Sequence, residues 1–342
     1  MHLFLRESGT GAEPENIMLD QFGRTIDYLR ISVTDRCNLR CRYCMPDGVE
    51  LTAMERLLTL EEIVTVAECA ASLGIRHIKL TGGEPLLRRG LPSLLSMLKA
   101  IPGIEKVTLT TNGILLPEML PDLLRAGLDA VNISLDTTDP ECYEEITGRD
   151  ALGGALRAVD AAVAAGLRTK VNAVSLDLGE ENLRSLIALA KDRPVDVRFI
   201  EMMPIGMGKT FPVMDHQQLR RKLRAFYPGI EEDRSFHGFG PAVYLRIPGY
   251  QGSIGLISAI HGKFCESCNR VRLTSEGYLK ACLCYHEGAD LREILRRECP
   301  KEERKTALRQ AVERVIFEKP GEHCFEELAG VTEAAPMSAI GG

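Results

Sequence analysis

The chain has 342 residues, 45% of them apolar and only 5% aromatic, which is enough for about two domains around an aliphatic core. A formal net charge of −6 gives no global electrostatic reason to bind nucleic acid, and no apolar run reaches membrane-spanning length. Eleven cysteines, an odd number without a secretory segment, fit free thiols in a reducing, cytoplasmic compartment better than a disulfide framework.

Residues 1–20 read as a polar lead-in. From residue 28 to about 203, β-rich runs at 28–33, 75–80, 106–111, 129–135, 169–174 and 195–201 alternate with amphipathic stretches at 61–73, 91–100, 117–125, 153–165 and 180–190. Several of these predicted helices close on glycine, at Gly74, Gly127 and Gly166. Such alternation implies parallel strands, with Thr81-Gly-Gly, Thr110-Thr-Asn, Ser134-Leu-Asp, Asn172 and Glu201-Met-Met gathered at their C-terminal edge. A doubly wound nucleotide-binding sheet would need a glycine loop after the first strand, where this chain places cysteines.

The barrel-like part is expected over 21–209, and a smaller region over 210–330 to cover its open side. That region reads as a helix near 214–226, strands around 242–247 and 253–257, and a hairpin from Val271–Thr274 to Tyr278–Lys280 that turns at Glu276-Gly277. Charged helices run on to about 319, and a tail over 331–342 ends in Gly341-Gly342.

Two cysteine triads carry the chemistry. Cys37, Cys41 and Cys44 form C-x3-C-x2-C with Tyr43 before the last thiol, and no fourth Cys or His follows within twenty residues. Cys265 and Cys268 form C-x2-C, and Cys282 follows after thirteen residues. A pair of zinc knuckles is the plainer reading of such spacings, but three-thiolate sites leave a coordination position for a ligand. Arg30, Lys79, Lys170 and Arg198 interrupt predicted strands where buried positions are ordinarily apolar, and four buried cations require anions. Turned inward, they suit a triphosphate. Arg270 and Arg272 sit at alternate positions, so on a strand both point the same way.

The sequence from Tyr28 onward resembles the radical S-adenosylmethionine (SAM) superfamily and, within it, the GTP 3′,8-cyclases of molybdenum cofactor biosynthesis. The likeness is carried by the first triad, Thr-Gly-Gly-Glu-Pro at 81–85, Thr-Thr-Asn-Gly at 110–113, Arg-Phe-Ile-Glu-Met-Met-Pro at 198–204, Lys-Phe-Cys-Glu-Ser-Cys-Asn-Arg-Val-Arg-Leu-Thr at 263–274, and the terminal Gly-Gly. It implies an α/β fold, a partial (β/α)6 barrel with a smaller C-terminal α+β lid that carries a second iron-sulfur site. Cys37, Cys41 and Cys44 would hold a SAM-binding 4Fe-4S cluster, with Tyr43, Gly83, Ser134 and Met203 contacting SAM. Cys265, Cys268 and Cys282 would hold a second 4Fe-4S cluster that faces the substrate guanine.

By the same resemblance, Arg30, Lys79, Thr110, Lys170, Arg198, Arg270, Val271 and Arg272 would contact GTP. Arg270, Arg272, Gly341 and Gly342 would serve catalysis, the last two by entering the barrel. Lys79 departs from the arginine associated with its position and keeps the charge without the planar fork. Cys284, two residues past Cys282, complicates the second site and is expected to face away from it. The implied reaction removes the 3′ hydrogen of GTP ribose and joins C3′ to C8. Its implied partners are a flavodoxin- or ferredoxin-type electron donor and the downstream cyclic pyranopterin monophosphate synthase, and a homodimer stays open. A radical SAM enzyme acting on a peptide and a non-catalytic zinc or electron-transfer protein are the rival readings.

Overall fold

A computed structural model describes residues 17–45, 50–211, 213–333, 335 and 337–340. Gly341 and Gly342 lie outside the described residues. Strands β1 (Tyr28–Ser32), β2 (His77–Thr81), β3 (Lys106–Thr111), β4 (Ala130–Ser134), β5 (Arg168–Val174) and β6 (Val195–Ile200) pair in sequence order, each parallel to the next. Helices α1 (Leu60–Ser72), α2 (Leu91–Lys99) and α3 (Leu116–Arg125) make the first connections. Next come α4 (Pro140–Thr147), α5 (Leu152–Ala164) and α6 (Gly179–Ala188). They are amphipathic, and α2 buries Leu91, Leu94, Leu95 and Leu98 against the sheet-wide aliphatic core.

Local chemistry fixes the helix starts. Thr59 accepts from the Glu62 amide at 3.1 Å while the Glu62 carboxylate accepts from the Thr59 amide at 2.8 Å, a reciprocal cap on α1. Asp139 accepts from the Cys142 amide ahead of Pro140, starting the short α4 that sequence periodicity did not single out.

Past α7 (His216–Phe226), the second region enters the sheet itself. Strands β7 (Glu231–Asp233), β8 (Val243–Arg246) and β9 (Ile254–Ile257) lead to one edge, and β9 runs parallel to β6. Strands β10 (Arg270–Leu273), β11 (Tyr278–Lys280) and β12 (Gly288–Asp290) occupy the other edge, where β10 runs parallel to β1. The order is β12-β11-β10-β1-β2-β3-β4-β5-β6-β9-β8-β7, so the parallel run is eight strands long where six were expected, and antiparallel strands flank it on both sides. Helices α8 (Leu291–Arg296) and α9 (Lys301–Phe317) pack behind, and a last turn, α10 (Met337–Ile340), packs into a small second core.

Candidate active site

The C-terminal ends of β1–β6 and the interior they enclose line a cavity of about 620 Å³. Its walls hold Cys37, Cys41, Cys44, Tyr43, Gly83, Ser134 and Met203, and also Arg30, Lys79, Thr110, Lys170, Arg198, Arg270 and Arg272. Thus the first cysteine triad, the SAM candidates and the cationic candidates meet in one space. Val271 does not: its side chain is 1% exposed in the aliphatic core, as strand alternation between Arg270 and Arg272 dictates, so only its backbone can face a ligand. Cys265, Cys268 and Cys282 stand outside the lining, and Phe264, Arg270 and Arg272 present their side of the molecule to the cavity.

The first cysteine loop is pinned by backbone. The amide of Gly83 donates to Thr34 O at 2.8 Å and that of Glu84 to Arg36 O at 2.7 Å. A Cβ at Gly82 would stand 2.4 Å from Thr34 O, and one at Gly83 2.4 Å from Arg36 O, so only glycine admits this approach. Glu84 then ties β2 to β3, accepting from Thr111 Oγ1 at 2.7 Å, the Asn112 amide at 2.7 Å and the Leu86 amide at 3.0 Å. Burial pushes this carboxyl up to about 7. Asn112 reaches back with Nδ2, donating to Asn38 Oδ1 at 2.7 Å and lying 3.9 Å from Cys37 Sγ.

The thiols feel one another. Burial, Asp136 and the neighbouring Cys44 and Cys37 raise Cys41 well above the ordinary thiol range. Such a trio gains from a cationic multi-iron centre that binds thiolates. At the second site burial raises Cys265, whereas Cys268 is held below the ordinary value against burial by Lys319 and Arg270. Lys319 Nζ donates to Arg270 O at 2.9 Å and Ala281 O at 2.5 Å, and Arg24 Nη1 donates to Cys265 O at 2.8 Å. Burial thus favours the protonated thiol at Cys37, Cys41 and Cys265, only Cys268 is held toward the thiolate, and among the described residues no three such groups are gathered closely enough to hold a metal ion as they stand. Cys284 is fully buried with its Sγ 3.4 Å from that of Cys324.

The cations differ in how they are held. Arg198 gives Nε and Nη2 to Asn172 Oδ1 at 2.9 and 2.6 Å. Lys170 donates to Tyr244 Oη at 2.7 Å and to the His237 carbonyl, and lies 3.2 Å from Asp196; burial and then Arg198 push it down to about 8. Lys79 is buried, and after burial the charges acting on it are Arg198, Arg30, Lys170 and Arg270, which hold it well below the usual lysine range. Burial followed by Arg30 and Arg270 does the same to Arg272.

Two features escaped the sequence reading. Tyr43 donates to Asp136 Oδ2 at 2.6 Å, and Asp136 Oδ1 accepts from the Val174 amide at 2.8 Å. The segment Phe236-His-Gly-Phe-Gly-Pro241 also lines the cavity, with Phe239 stacked on His77 at 3.6 Å and His237 on Tyr244 at 3.8 Å. Its alternating aromatics and glycines were the available signal.

Residues 31–192 match the family model of the radical SAM superfamily, and the fold agrees with that of Streptococcus suis SuiB bound to S-adenosylmethionine (TM-score 0.64, 15% identity, 87% of this chain and 67% of that one). Fold and cysteine loop together are those of a radical SAM enzyme. Residues 195–325 match the Molybdenum Cofactor Synthesis C model. The chain is 41% identical over 327 residues to the GTP 3′,8-cyclase of Clostridium perfringens, covering 95% of this chain and all of that protein. It is 42% identical over 330 residues to that of Moorella thermoacetica, at 95% and 100% coverage. The chain belongs to the GTP 3′,8-cyclase family. Members use SAM and two 4Fe-4S clusters, and among the described residues no helix is long and apolar enough to cross a membrane.

Proposed function

We propose that this protein converts GTP to (8S)-3′,8-cyclo-7,8-dihydroguanosine 5′-triphosphate, the first step of molybdenum cofactor biosynthesis. The observation that carries the reading is the meeting of Arg30, Lys79, Lys170, Arg198, Arg270 and Arg272 on the walls of the cavity that the Cys37 loop borders. A triphosphate brings several negative charges to this cluster. SAM and the clusters supply one-electron chemistry when bound; the chain's residues bind, orient and exclude water.

In this reading Cys37, Cys41 and Cys44 hold the SAM-binding cluster, and Tyr43, Gly83, Ser134 and Met203 contact SAM. Cys265, Cys268 and Cys282 hold the second cluster, which orients guanine. Arg30, Lys79, Thr110, Arg198, Arg270 and Arg272 receive the nucleotide, with Arg gripping phosphate through paired hydrogen bonds. The three N–H groups of Lys170 already face Asp196, His237 O and Tyr244 Oη, so it joins those residues only by giving up one of these partners. Gly341 and Gly342 complete the site from the tail. A cytoplasmic location fits eleven free thiols, and a flavodoxin- or ferredoxin-type donor would feed the first cluster. The product would pass to cyclic pyranopterin monophosphate synthase.

Anaerobic reconstitution followed by iron and sulfide counting, then mass analysis of the product formed from GTP and SAM, tests the reading. Two four-iron clusters per chain and an isomer of GTP linked C3′ to C8 are expected. A colourless zinc protein, or SAM cleavage that peptides and not GTP stimulate, would sink it.

A further inference from the structure

Lys280 has a full side chain buried in β11, 1% exposed, directly opposite Arg272 in the strand pairing. A lysine there needs a partner. Its ammonium is ion-paired with Glu333, and both side chains are 2% exposed. Glu333 belongs to the tail, far along the chain from β11, and it does more than neutralise. Its Oε1 accepts from the Ala335 amide at 2.7 Å, and its own amide donates to Cys284 O at 3.2 Å. One residue earlier, Thr332 Oγ1 accepts from the His286 amide at 2.9 Å.

Beyond this anchorage the tail turns toward the reaction space. Met337 lines the main cavity, and Ile340, 2% exposed, packs with Ile205, Leu283, Cys284 and Phe325. Ile205 follows the Met203 edge of β6, whereas Leu283 and Cys284 follow Cys282. The tail therefore touches the cavity at Met337 and packs at Ile340 against Ile205, itself in the lining, and its anchorage lies where Glu333 meets Lys280.

We propose that Lys280 and Glu333 form a latch that positions the C-terminal tail as part of the cavity wall, making both of them positioning residues for cyclisation. A buried ion pair adds little net stability compared with a neutral pair, but it specifies which groups meet, because an unpaired partner is strongly disfavoured. An apolar contact would let the tail slide; a single carboxylate on a single ammonium does not. The inference deepens the cyclase reading and rests on it.

The test uses full-length holoenzyme carrying Glu333→Gln, Lys280→Gln, or both. Each single variant should keep both clusters by iron and sulfide content and keep GTP-independent SAM cleavage within twofold, while cyclisation falls at least tenfold. Amide hydrogen exchange over 331–340 should speed up at least tenfold, with β1–β6 unchanged. The double variant, free of an unpaired buried charge, should recover thermal stability yet cyclise no worse than either single, the non-additivity of groups that act through each other. Full cyclisation in Glu333→Gln, unchanged exchange in the tail, or additive losses in the double variant would overturn the latch. Absence of GTP turnover in the wild type would instead overturn the cyclase reading.

Discussion

The Tyr43 hydroxyl donates to Asp136 Oδ2 at 2.6 Å, joining the first cysteine loop to the end of β4. The bond holds the aromatic ring where it also meets Phe211 edge-on at 6.0 Å. Tyr43→Phe deletes one hydrogen bond to a charged acceptor and should weaken SAM binding by about 1–2 kcal/mol, roughly one decade. GTP affinity should not change. Calorimetric titration with each ligand checks this, and equal losses for both would mean that the loop itself had collapsed.

The two triads should fail differently. Cys37→Ala, Cys41→Ala or Cys44→Ala should abolish SAM cleavage, whereas Cys265→Ala or Cys282→Ala should spare uncoupled cleavage and lose cyclisation. Wild-type cyclisation by a second-triad variant would refute that division. Cys284→Ala, which removes a thiol held against Cys324 and not toward the cavity, should leave iron content unchanged.

Lys79→Met removes an ammonium whose charged neighbours repel it, so the ligand-free protein should become more stable while GTP affinity falls. For Arg270→Ala and Arg272→Ala the expected loss is about 1.5–3 kcal/mol each, the range for a hydrogen bond to a charged group. Thermal melts with inorganic triphosphate and with guanosine separate the contributions. Triphosphate should raise the wild-type midpoint far more than that of Lys79→Met, and a matching loss for guanosine would point away from phosphate.

His216 sits between Ser175 Oγ at 2.9 Å and Ser258 Oγ at 2.7 Å, and burial pushes its pKa down to about 4 from 6.5. Its folded pKa lies below the unfolded one, so the unfolded chain binds the proton more readily in acid. The neutral imidazole's stabilisation is fully present above pH 6.5 and is lost as pH falls toward 4, by roughly 3 kcal/mol. Denaturant unfolding of His216→Gln should show a correspondingly flatter profile across that window.

Deleting Gly341 and Gly342 should leave both clusters in place and collapse cyclisation. Product analysis at matched iron content is the measurement, and full activity would remove these glycines from the site.

The alternation of strands and helices is legible in the amino-acid sequence because β-branched strands and glycine-closed helices write their period locally, as Lys106–Thr111 does with the bounds expected for it. Charges inside strands were legible in the same way, and the structure brings Arg30, Lys79, Lys170 and Arg198 to one cavity. What stayed hidden depends on distant pairing. Nothing near Tyr28 says that it lies beside Arg270, and nothing near Lys170 says that Asp196, Tyr244 and His237 already hold it while Lys79 stands among cations. Helix α4 was missed because only Tyr143, Ile146 and Thr147 of its eight residues are buried, too few for a periodic signal.

Because β9 and β10 run alongside β6 and β1, a chain cut after β6 would expose unpaired amides and carbonyls on two long parallel edges. Such a fragment should associate through those edges before it could bind anything. The strands that carry the first cysteine loop and those that flank them from the second region are therefore expected to fold together, the second sealing both edges that the first leaves open.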